Sequence, residues 1–333
     1  MKKTYKTYKK YKKNKGNIKY KVKRITRGNL TKKNKNKTIH RNKRRIFNGG
    51  KLIGQGNYGC VYRPDLTSTN KNSIGNNTGS SSSNNKIVSK VVLKNNAFSE
   101  YRHEYKILKK MKEIDPKGLF HSLLIDAFEL KNEHIPSDFS QCSLTKPSYT
   151  VDDFFVFNIA FCGVHNLSYY LKNAFGVHKD DKIIPEPSIL FSLLANIIVG
   201  IKKMIGSNII HKTLNTDSIY LKEPISLDNS HCAKIIDYGD GESRKYKGYS
   251  DKNQDYITLF RSIKNILSKI VKQPHNISYS KVIHDLMNGF TELLNMVEKD
   301  NVSYDEIIKK YILLLQNTFG QKYSDYASSK YKL

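Results

Sequence analysis

A glycine-rich segment near residue 54 has the composition of a loop that binds phosphate groups. It reads Gly54-Gln55-Gly56-Asn57-Tyr58-Gly59, and Val61 follows two residues later. Glycine lets a backbone approach phosphate oxygens closely and adopt positive φ. The segment stands before a strand candidate instead of opening a helix, so it fits a Rossmann dinucleotide fingerprint poorly. Taken alone, the pattern also suits an ordinary glycine-containing turn.

The residues downstream give this segment a context. From about residue 50 to residue 320 the chain resembles the eukaryotic-type protein kinase superfamily. In that family a strand lysine pairs with the nucleotide phosphates and with a glutamate on the next helix. The resemblance implies that Lys90, in Val88-Ser89-Lys90, is this lysine and that Glu104 is its partner. Lys94 and Glu100 are the second choices for the two positions.

The resemblance also locates a catalytic loop at Ile209-Ile210-His211-Lys212-Thr213-Leu214-Asn215-Thr216-Asp217-Ser218-Ile219. In the family's register, Thr213 replaces the base aspartate, Asn215 the phosphate-contacting lysine, and Ser218 the metal-binding asparagine. A threonine hydroxyl has no comparable basicity near neutral pH, and losing a positioned base costs about 10²–10⁴ in rate. Asp217 is one residue away, and a shift of one residue would point its side chain elsewhere.

Asp237-Tyr238-Gly239 resembles the magnesium-binding DFG motif, with tyrosine in place of phenylalanine. By this resemblance Asp237 would be a Mg²⁺ ligand. Asp255 resembles the buried aspartate that anchors the catalytic loop in the family. Only 15 residues separate Gly239 from Asp255, and they contain no Ala-Pro-Glu, so we expect the usual peptide-docking platform to be missing.

A hinge between two lobes is the last element that the resemblance implies. Phe157 to Gly163 would hydrogen-bond adenine through its backbone, and Asn166 stands where the family commonly has an acidic residue that meets ribose. The cofactors implied are ATP and Mg²⁺.

The pattern of apolar residues provides elements that can position these groups. The sequence predicts strands near 51–53, 60–62, 87–93, 123–130, 154–161, 219–221 and 233–236, and helices over 97–113, from Ser188, from Asp255, over 280–298 and over 304–316. Ser188 is predicted to cap its helix, and Ser303 with Glu306 has the pattern of a capping box. We therefore expect an α+β, bilobal, protein-kinase-like fold, with a small β-rich N-lobe carrying one helix and a larger helical C-lobe.

The domain boundaries follow from composition. A disordered basic tail is predicted at 1–45, the N-lobe at 46–162 with a flexible insertion at 67–85, the C-lobe at 163–322, and a C-terminal tail at 323–333. The net charge is +29; the tail holds 21 Lys or Arg and no acid, which leaves 37 basic and 29 acidic residues, or +8, for the remainder. Such a tail suits nucleic-acid binding or nuclear import, and equally a solvated segment that aids solubility.

The four cysteines, Cys60, Cys142, Cys162 and Cys232, form no CxxC pair or zinc-ribbon spacing. We therefore predict four reduced, mostly buried thiols. No stretch approaches the roughly 20 apolar residues that span a bilayer, and the N-terminus lacks an apolar signal region, so we expect no membrane association. The segment 54–64 (GQGNYGCVYRP) and the strand Val88-Ser89-Lys90 also resemble kinases of large DNA viruses. We expect an intracellular site in a host cell, cytoplasmic or nuclear, or a place in the virion.

Three functions remain open at this point. The first is a pseudokinase that binds ATP and acts by binding an unidentified protein partner. The second is a weakly active Ser/Thr protein kinase that transfers the γ-phosphate of ATP. The third is a nucleic-acid-binding protein that works through residues 1–45.

Overall fold

The computed structural model describes residues 50–56, 59–66, 86–96, 99–136, 138–175, 184–229, 231–273, 279–299 and 302–331. The predicted disordered tail at 1–45 and the predicted flexible insertion at 67–85 lie outside the described residues.

Short strands precede longer helices along the chain. The strands are β1 (Lys51–Gly56), β2 (Gly59–Arg63), β3 (Ile87–Leu93), β4 (Asn95–Asn96), β5 (Ser99–Glu100), β6 (Leu124–Glu129), β7 (Phe154–Ala160), β8 (His165–Asn166), β9 (Ile209–Ile210), β10 (Ile219–Leu221), β11 (Ala233–Ile235) and β12 (Glu242–Ser243). The helices are α1 (Tyr101–Ile114), α2 (Leu167–Ala174), α3 (Pro187–Gly206), α4 (Tyr249–Lys252), α5 (Gln254–Val271), α6 (Ser280–Val297), α7 (Tyr304–Phe319) and α8 (Gln321–Tyr331).

A five-stranded antiparallel sheet, in the order β1-β2-β3-β7-β6, forms the first lobe. The β-branched run Ile87–Leu93 is the central strand, with its predicted limits, because both of its faces are covered. Helix α1 packs its buried residues Ile107, Leu108 and Met111 into the same core as Phe155 and Phe157 of β7.

Helices dominate the second lobe, and α3 lies at its centre. This helix begins at Pro187 with Glu186 at its N-cap, so the predicted cap at Ser188 is wrong: proline suits the first helical turn, and Ser188 lies inside the helix. Helix α3 is long and apolar enough to cross a membrane, so the prediction that no stretch approaches a membrane-spanning length is wrong for this helix. In its most apolar 18-residue stretch, 67% is buried inside the protein, because α3 packs against other helices of its own lobe.

The C-terminal helices follow the predicted pattern, with one difference. The capping box at the start of α7 is confirmed, since the Ser303 hydroxyl accepts from the Glu306 N–H and the Glu306 carboxylate accepts from the Ser303 N–H. The region assigned to a C-terminal tail begins inside α8, in which Ser324 and Ala327 are buried.

The prediction of four reduced thiols is wrong for two of the cysteines. Cys60 and Cys142 form a disulfide with Cα atoms 5.9 Å apart. They are 82 residues apart in sequence, so no local spacing indicated the pair. Cys162 and Cys232 are free and buried, as predicted.

The expected α+β class is confirmed, with an antiparallel sheet and α1 in the first lobe and a helical second lobe. Small sheets, β11-β10-β8 and β12-β9, lie in the second lobe. They bring together the loops that follow β9 and β11, and these loops carry the candidate site.

Candidate nucleotide site and catalytic loop

Lys90 lies at the centre of the candidate site, between two carboxylates from distant parts of the chain. Its Nζ is 2.7 Å from Glu104 Oε1 on α1 and 2.7 Å from Asp237 Oδ1 after β11. The side chains of Lys90 and Glu104 are 10% and 6% exposed, whereas that of Asp237 is 45% exposed. The cluster is therefore enclosed on the Glu104 side, and its exposed group is the Asp237 carboxylate.

The three charges shift one another's protonation. Burial alone would lower the pKa of Lys90, but the charges of Asp237 and Glu104 outweigh it and hold that pKa above its ordinary value. The charge of Lys90 holds the pKa of Asp237 below its ordinary value. Burial raises the pKa of Glu104, and the charge of Lys90 only partly offsets this. The lowered pKa of Asp237 favours its ionised form on the exposed side of the cluster, and this negative charge favours a cation nearby.

The glycine-rich hairpin of β1 and β2 covers this lysine. A Cβ at Gly59 would lie 3.1 Å from two side-chain carbons of Lys90 and 3.0 Å from the Val91 carbonyl oxygen, so a larger residue here would displace its neighbours by a few tenths of an ångström. Gly54 and Gly56 face open space instead, with nothing within 4 Å of a Cβ. Val61 is paired with Lys90 across β2 and β3. Gln55 lies in β1, and Asn57 and Tyr58 are outside the described residues.

Lys94, the second choice for the lysine, pairs outside this cluster. Lys94 Nζ forms an ion pair with Glu129 at 3.1 Å. Glu100 belongs to β5, where only the backbone is described.

Asp255 anchors the loop that contains Thr213. Its two carboxylate oxygens accept the backbone N–H groups of His211 and Lys212, each at 2.8 Å. These bonds hold Lys212 at φ +69°, a left-handed conformation that is uncommon for a long side chain. The His211 ring contacts the Ile236 carbonyl through Nε2 at 2.9 Å and so links this loop to the segment of Asp237.

The three altered positions lie together on this loop. Thr213 is exposed, and its carbonyl accepts from the Ser218 hydroxyl at 3.2 Å. Asn215 caps the short 3-10 helix Thr216–Ser218 by accepting from the N–H groups of Asp217 and Ser218. The Asn215 side chain is thus used to hold the loop's shape.

Asp217 has the only carboxylate in the sequence from His211 to Ser218. Its Oδ1 accepts from the Asn166 amide at 3.0 Å, and Asn166 in turn caps α2 by accepting from the Tyr169 N–H. Both side chains are therefore engaged with each other at the start of α2, a helix that sequence analysis did not assign.

The hinge candidate, Phe157 to Gly163, begins within β7 and continues past its end. The Ala160 N–H donates to the Leu123 carbonyl and the Phe161 N–H donates to the Lys86 carbonyl, so both are already bonded within the protein. Gly163 has φ +118°, and a Cβ there would collide with the Leu221 carbonyl oxygen, so the exit of this segment requires glycine.

The short segment between Gly239 and Asp255 is held by an ion-pair network that sequence analysis missed. Glu242 contacts both Lys212 and Arg244, and Arg244 makes a bidentate pair with Asp251 at 2.6 and 2.9 Å. Strand β12 also pairs with β9. The sequence of this segment does not indicate which charged residues pair, because the ion pairs depend on how the segment folds back on itself.

The donor set around Asp237 suits a magnesium ion that arrives with a nucleotide. Within the described ranges, no group of three or more His, Cys, Asp or Glu side chains could hold a metal by itself. Mg²⁺ is usually bound through one or two carboxylates together with substrate phosphates and water. The half-exposed Asp237 carboxylate and the nearby Ser218 hydroxyl provide oxygen ligands of this kind.

Comparison with known proteins adds a structural similarity. No protein-family model and no curated protein matches the chain. Among solved structures, the chain is similar to the autoinhibited serine kinase domain of the giant muscle protein titin, with 12% sequence identity and a TM-score of 0.46. The similarity covers 83% of this chain and 85% of that chain. We therefore base the functional proposal on the geometry of the site.

Proposed function

We propose that the domain is a pseudokinase: it binds ATP with Mg²⁺ between the glycine-rich hairpin and Asp237, and acts by binding a protein partner. The observation that supports this best is the position of Lys90, whose Nζ contacts Glu104 and Asp237 beneath Gly59. A lysine held in this way can neutralise phosphate oxygens, and the open space at Gly54 and Gly56 leaves room for them.

The catalytic loop supports weak or absent phosphoryl transfer. A hydroxyl-bearing substrate needs a base at the reacting oxygen, and the loop carries the exposed Thr213 in the register of that base. Asp217, the carboxylate of this loop, is engaged by Asn166 at the start of α2. Bound Mg²⁺ would neutralise phosphate charge; Asp237 would hold it, and Ser218 would offer a weaker second oxygen.

Nucleotide binding is tested by thermal unfolding of the full chain with ATP, with and without Mg²⁺. A ligand that binds only the native state adds about 2.7 kcal/mol of stability at a concentration one hundred times its Kd. We expect ATP to raise the Tm of the parent and to have no effect on Lys90→Ala, each compared with its own ligand-free Tm.

Lys94→Ala is the matched control, because Lys94 pairs with Glu129 outside the site. It should keep the full ATP shift. Equal ATP shifts in Lys90→Ala and the parent would contradict the proposed nucleotide site. The basic tail is the same in all three proteins, so an effect of ATP on the tail would shift their Tm values equally.

The choice between a pseudokinase and a weak kinase is made by measuring γ-phosphate transfer. We expect none above the background of Asp237→Ala. Transfer that the parent supports and Asp237→Ala loses would favour the weakly active Ser/Thr kinase.

A further inference from the structure

A second, polar cavity lies away from Lys90. It has a volume of about 410 Å³, and its walls come from α2, from the loop residues Asn215 to Asp217, and from α5. The loop is tied to α5, because the Thr216 N–H donates to the Ser262 hydroxyl at 3.2 Å and the Thr216 and Ser262 hydroxyls are hydrogen-bonded to each other at 2.9 Å. It is tied to the start of α2 by the bond between Asn166 and Asp217. The three walls are therefore bonded to one another, and the cavity is preformed.

The α5 wall is a polar stripe on an amphipathic helix. Leu259, Ile263 and Ile270 are buried on one side of α5. On the other side, residues at helical spacing turn toward the cavity: Thr258, Arg261, Ser262, Asn265 and Lys269. The polar face of α5 thus forms one wall of the cavity and is not simply exposed to solvent.

The cavity has an excess of positive charge. Among the described residues, three cations line it, Lys172, Arg261 and Lys269, with one carboxylate, that of Asp217, which gives these residues a formal charge of +2. Arg261 also pairs with Glu298 at 3.0 Å. Within the part of the chain that the structure describes, Lys172 and Lys269 have no carboxylate in ion-pair range. Two ammonium groups at one preformed cavity therefore remain available to an anion.

The spacing of the cations indicates the size of the anion. Arg261 and Lys269 are eight residues apart on one helix, which places them about 12 Å apart along its axis. With the two side chains extended away from the helix axis, this separation exceeds the size of a single phosphate ion, and about four residues of an extended peptide span it. The hydroxyl and amide groups of Ser262 and Asn265 are of the kind that hydrogen-bond a peptide backbone.

We propose that this cavity binds an acidic peptide segment of a protein partner, one rich in Asp, Glu or phosphorylated residues. Among the described residues that line the cavity, none has an aromatic side chain on which nucleic-acid bases could stack. This inference rests on the partner-binding part of the proposed function and is independent of nucleotide binding.

The test uses the full chain and a fluorescein-labelled peptide of about eight residues, alternating Glu and Ser, with a Gln–Ser peptide as the neutral control. The variant is Lys172→Glu with Lys269→Glu. Its matched control is Lys264→Glu with Lys281→Glu, which changes the charge equally outside the cavity. By fluorescence anisotropy at low salt we expect the cavity variant to bind the acidic peptide about three- to tenfold more weakly, and the control to bind like the parent.

Hydrogen exchange locates the binding, because the basic tail also attracts an acidic peptide. We expect the peptide to slow exchange in Leu167–Ala174 and Gln254–Val271 of the parent, but not of the cavity variant. Equal affinity of the two charge variants, or protection confined to residues 1–45, would overturn the proposal. So would an oligouridylate of equal length that protects these helices better than the peptide does.

The ATP thermal shift separates this proposal from the first one. The cavity variant should keep the shift, which also shows that it is folded. Lys90→Ala should lose the ATP shift and still bind the peptide.

Discussion

Lys90 illustrates how single residues set the chemistry of the site. Its ammonium is shared by a buried carboxylate, Glu104, and a half-exposed one, Asp237. Removing one carboxylate from a buried ion cluster leaves part of the lysine's charge uncompensated. In the proposed function, a phosphate would replace Asp237 as the partner of Lys90, and Asp237 would instead hold the metal ion. Under the proposed function, the unequal exposure of the two carboxylates favours nucleotide entry on the Asp237 side of Lys90.

The buried hydroxyl of Tyr238 lowers the stability of the folded protein, and a single substitution can test this. It is 1% exposed, packs on the His211 ring with centroids 5.0 Å apart, and its hydroxyl has no hydrogen-bond partner within the described residues. Because an unpaired buried hydroxyl is destabilising, Tyr238→Phe should raise the free energy of unfolding by about 1 kcal/mol in urea titrations.

Tyr311→Phe is the control for this substitution. Tyr311 is equally buried, but its hydroxyl donates to the Phe191 carbonyl. Its loss should lower stability by about 0.5–1.5 kcal/mol. A Tyr238→Phe variant as destabilised as Tyr311→Phe would show that the Tyr238 hydroxyl is hydrogen-bonded after all.

At the scale of elements, the segment between β6 and β7 buttresses the glycine-rich hairpin. The Leu52 N–H donates to Asp138 Oδ2 at 2.8 Å, and the Ser143 N–H donates to Gln55 Oε1 at 3.0 Å. The disulfide from Cys60 to Cys142 joins the same two elements covalently. These contacts hold the hairpin from the side that faces away from Lys90.

The disulfide closes a long loop in the unfolded chain, since its cysteines are 82 residues apart. Such cross-links typically stabilise a protein by about 2–4 kcal/mol. Dithiothreitol should therefore lower the urea midpoint of the parent and have no effect on Cys142→Ala. A Cys232→Ala variant, which lacks a free buried thiol, should remain as sensitive to the reductant as the parent. Insensitivity of the parent would show that the bond contributes nothing to stability.

Asp115 organises the turn between α1 and β6. Its carboxylate, 2% exposed, accepts from the Leu119 and Phe120 N–H groups and contacts His121 Nδ1. Burial opposes ionisation, but these hydrogen bonds outweigh it and hold the pKa of Asp115 below its ordinary 3.8. The stability that Asp115 contributes is therefore present above pH 3.8 and is lost as the pH falls through its folded-state pKa.

Asp115→Asn should accordingly lower the unfolding free energy by about 1–3 kcal/mol at pH 7, because one acceptor oxygen is replaced by a donor facing other donors. Urea titrations from pH 7 to pH 3 should show the parent and the variant converging below pH 4. A difference that stays constant over this range would contradict the ionised state of Asp115.

For the whole molecule, charge is divided unequally between the tail and the rest of the chain. Residues 1–45 carry +21 of the net +29. Nucleic-acid binding by the tail stays a prediction; it requires salt-dependent binding that disappears when 1–45 is deleted. That experiment is independent of the ATP shift and of the peptide cavity.

Much of this protein could be predicted from its sequence, because the responsible signals are local. Apolar runs and helical spacing indicated β3, α5 and α6 closely, and the capping box indicated the start of α7. The glycine spacing and the motifs around Lys90 and Asp237 pointed to residues that the fold does bring together, across 147 positions of sequence.

The remaining features depend on partners that are distant in sequence, and only the tertiary structure decided them. The sequence by itself determined that Cys60 can form a disulfide, that Glu242 can form an ion pair and that Lys269 can bind an anion. It could not determine that a disulfide, an ion-pair network and a basic cavity would form, since each requires side chains from separate elements to meet. Local patterns report how a chain prefers to bend and which face it buries, whereas such encounters follow from how whole elements pack.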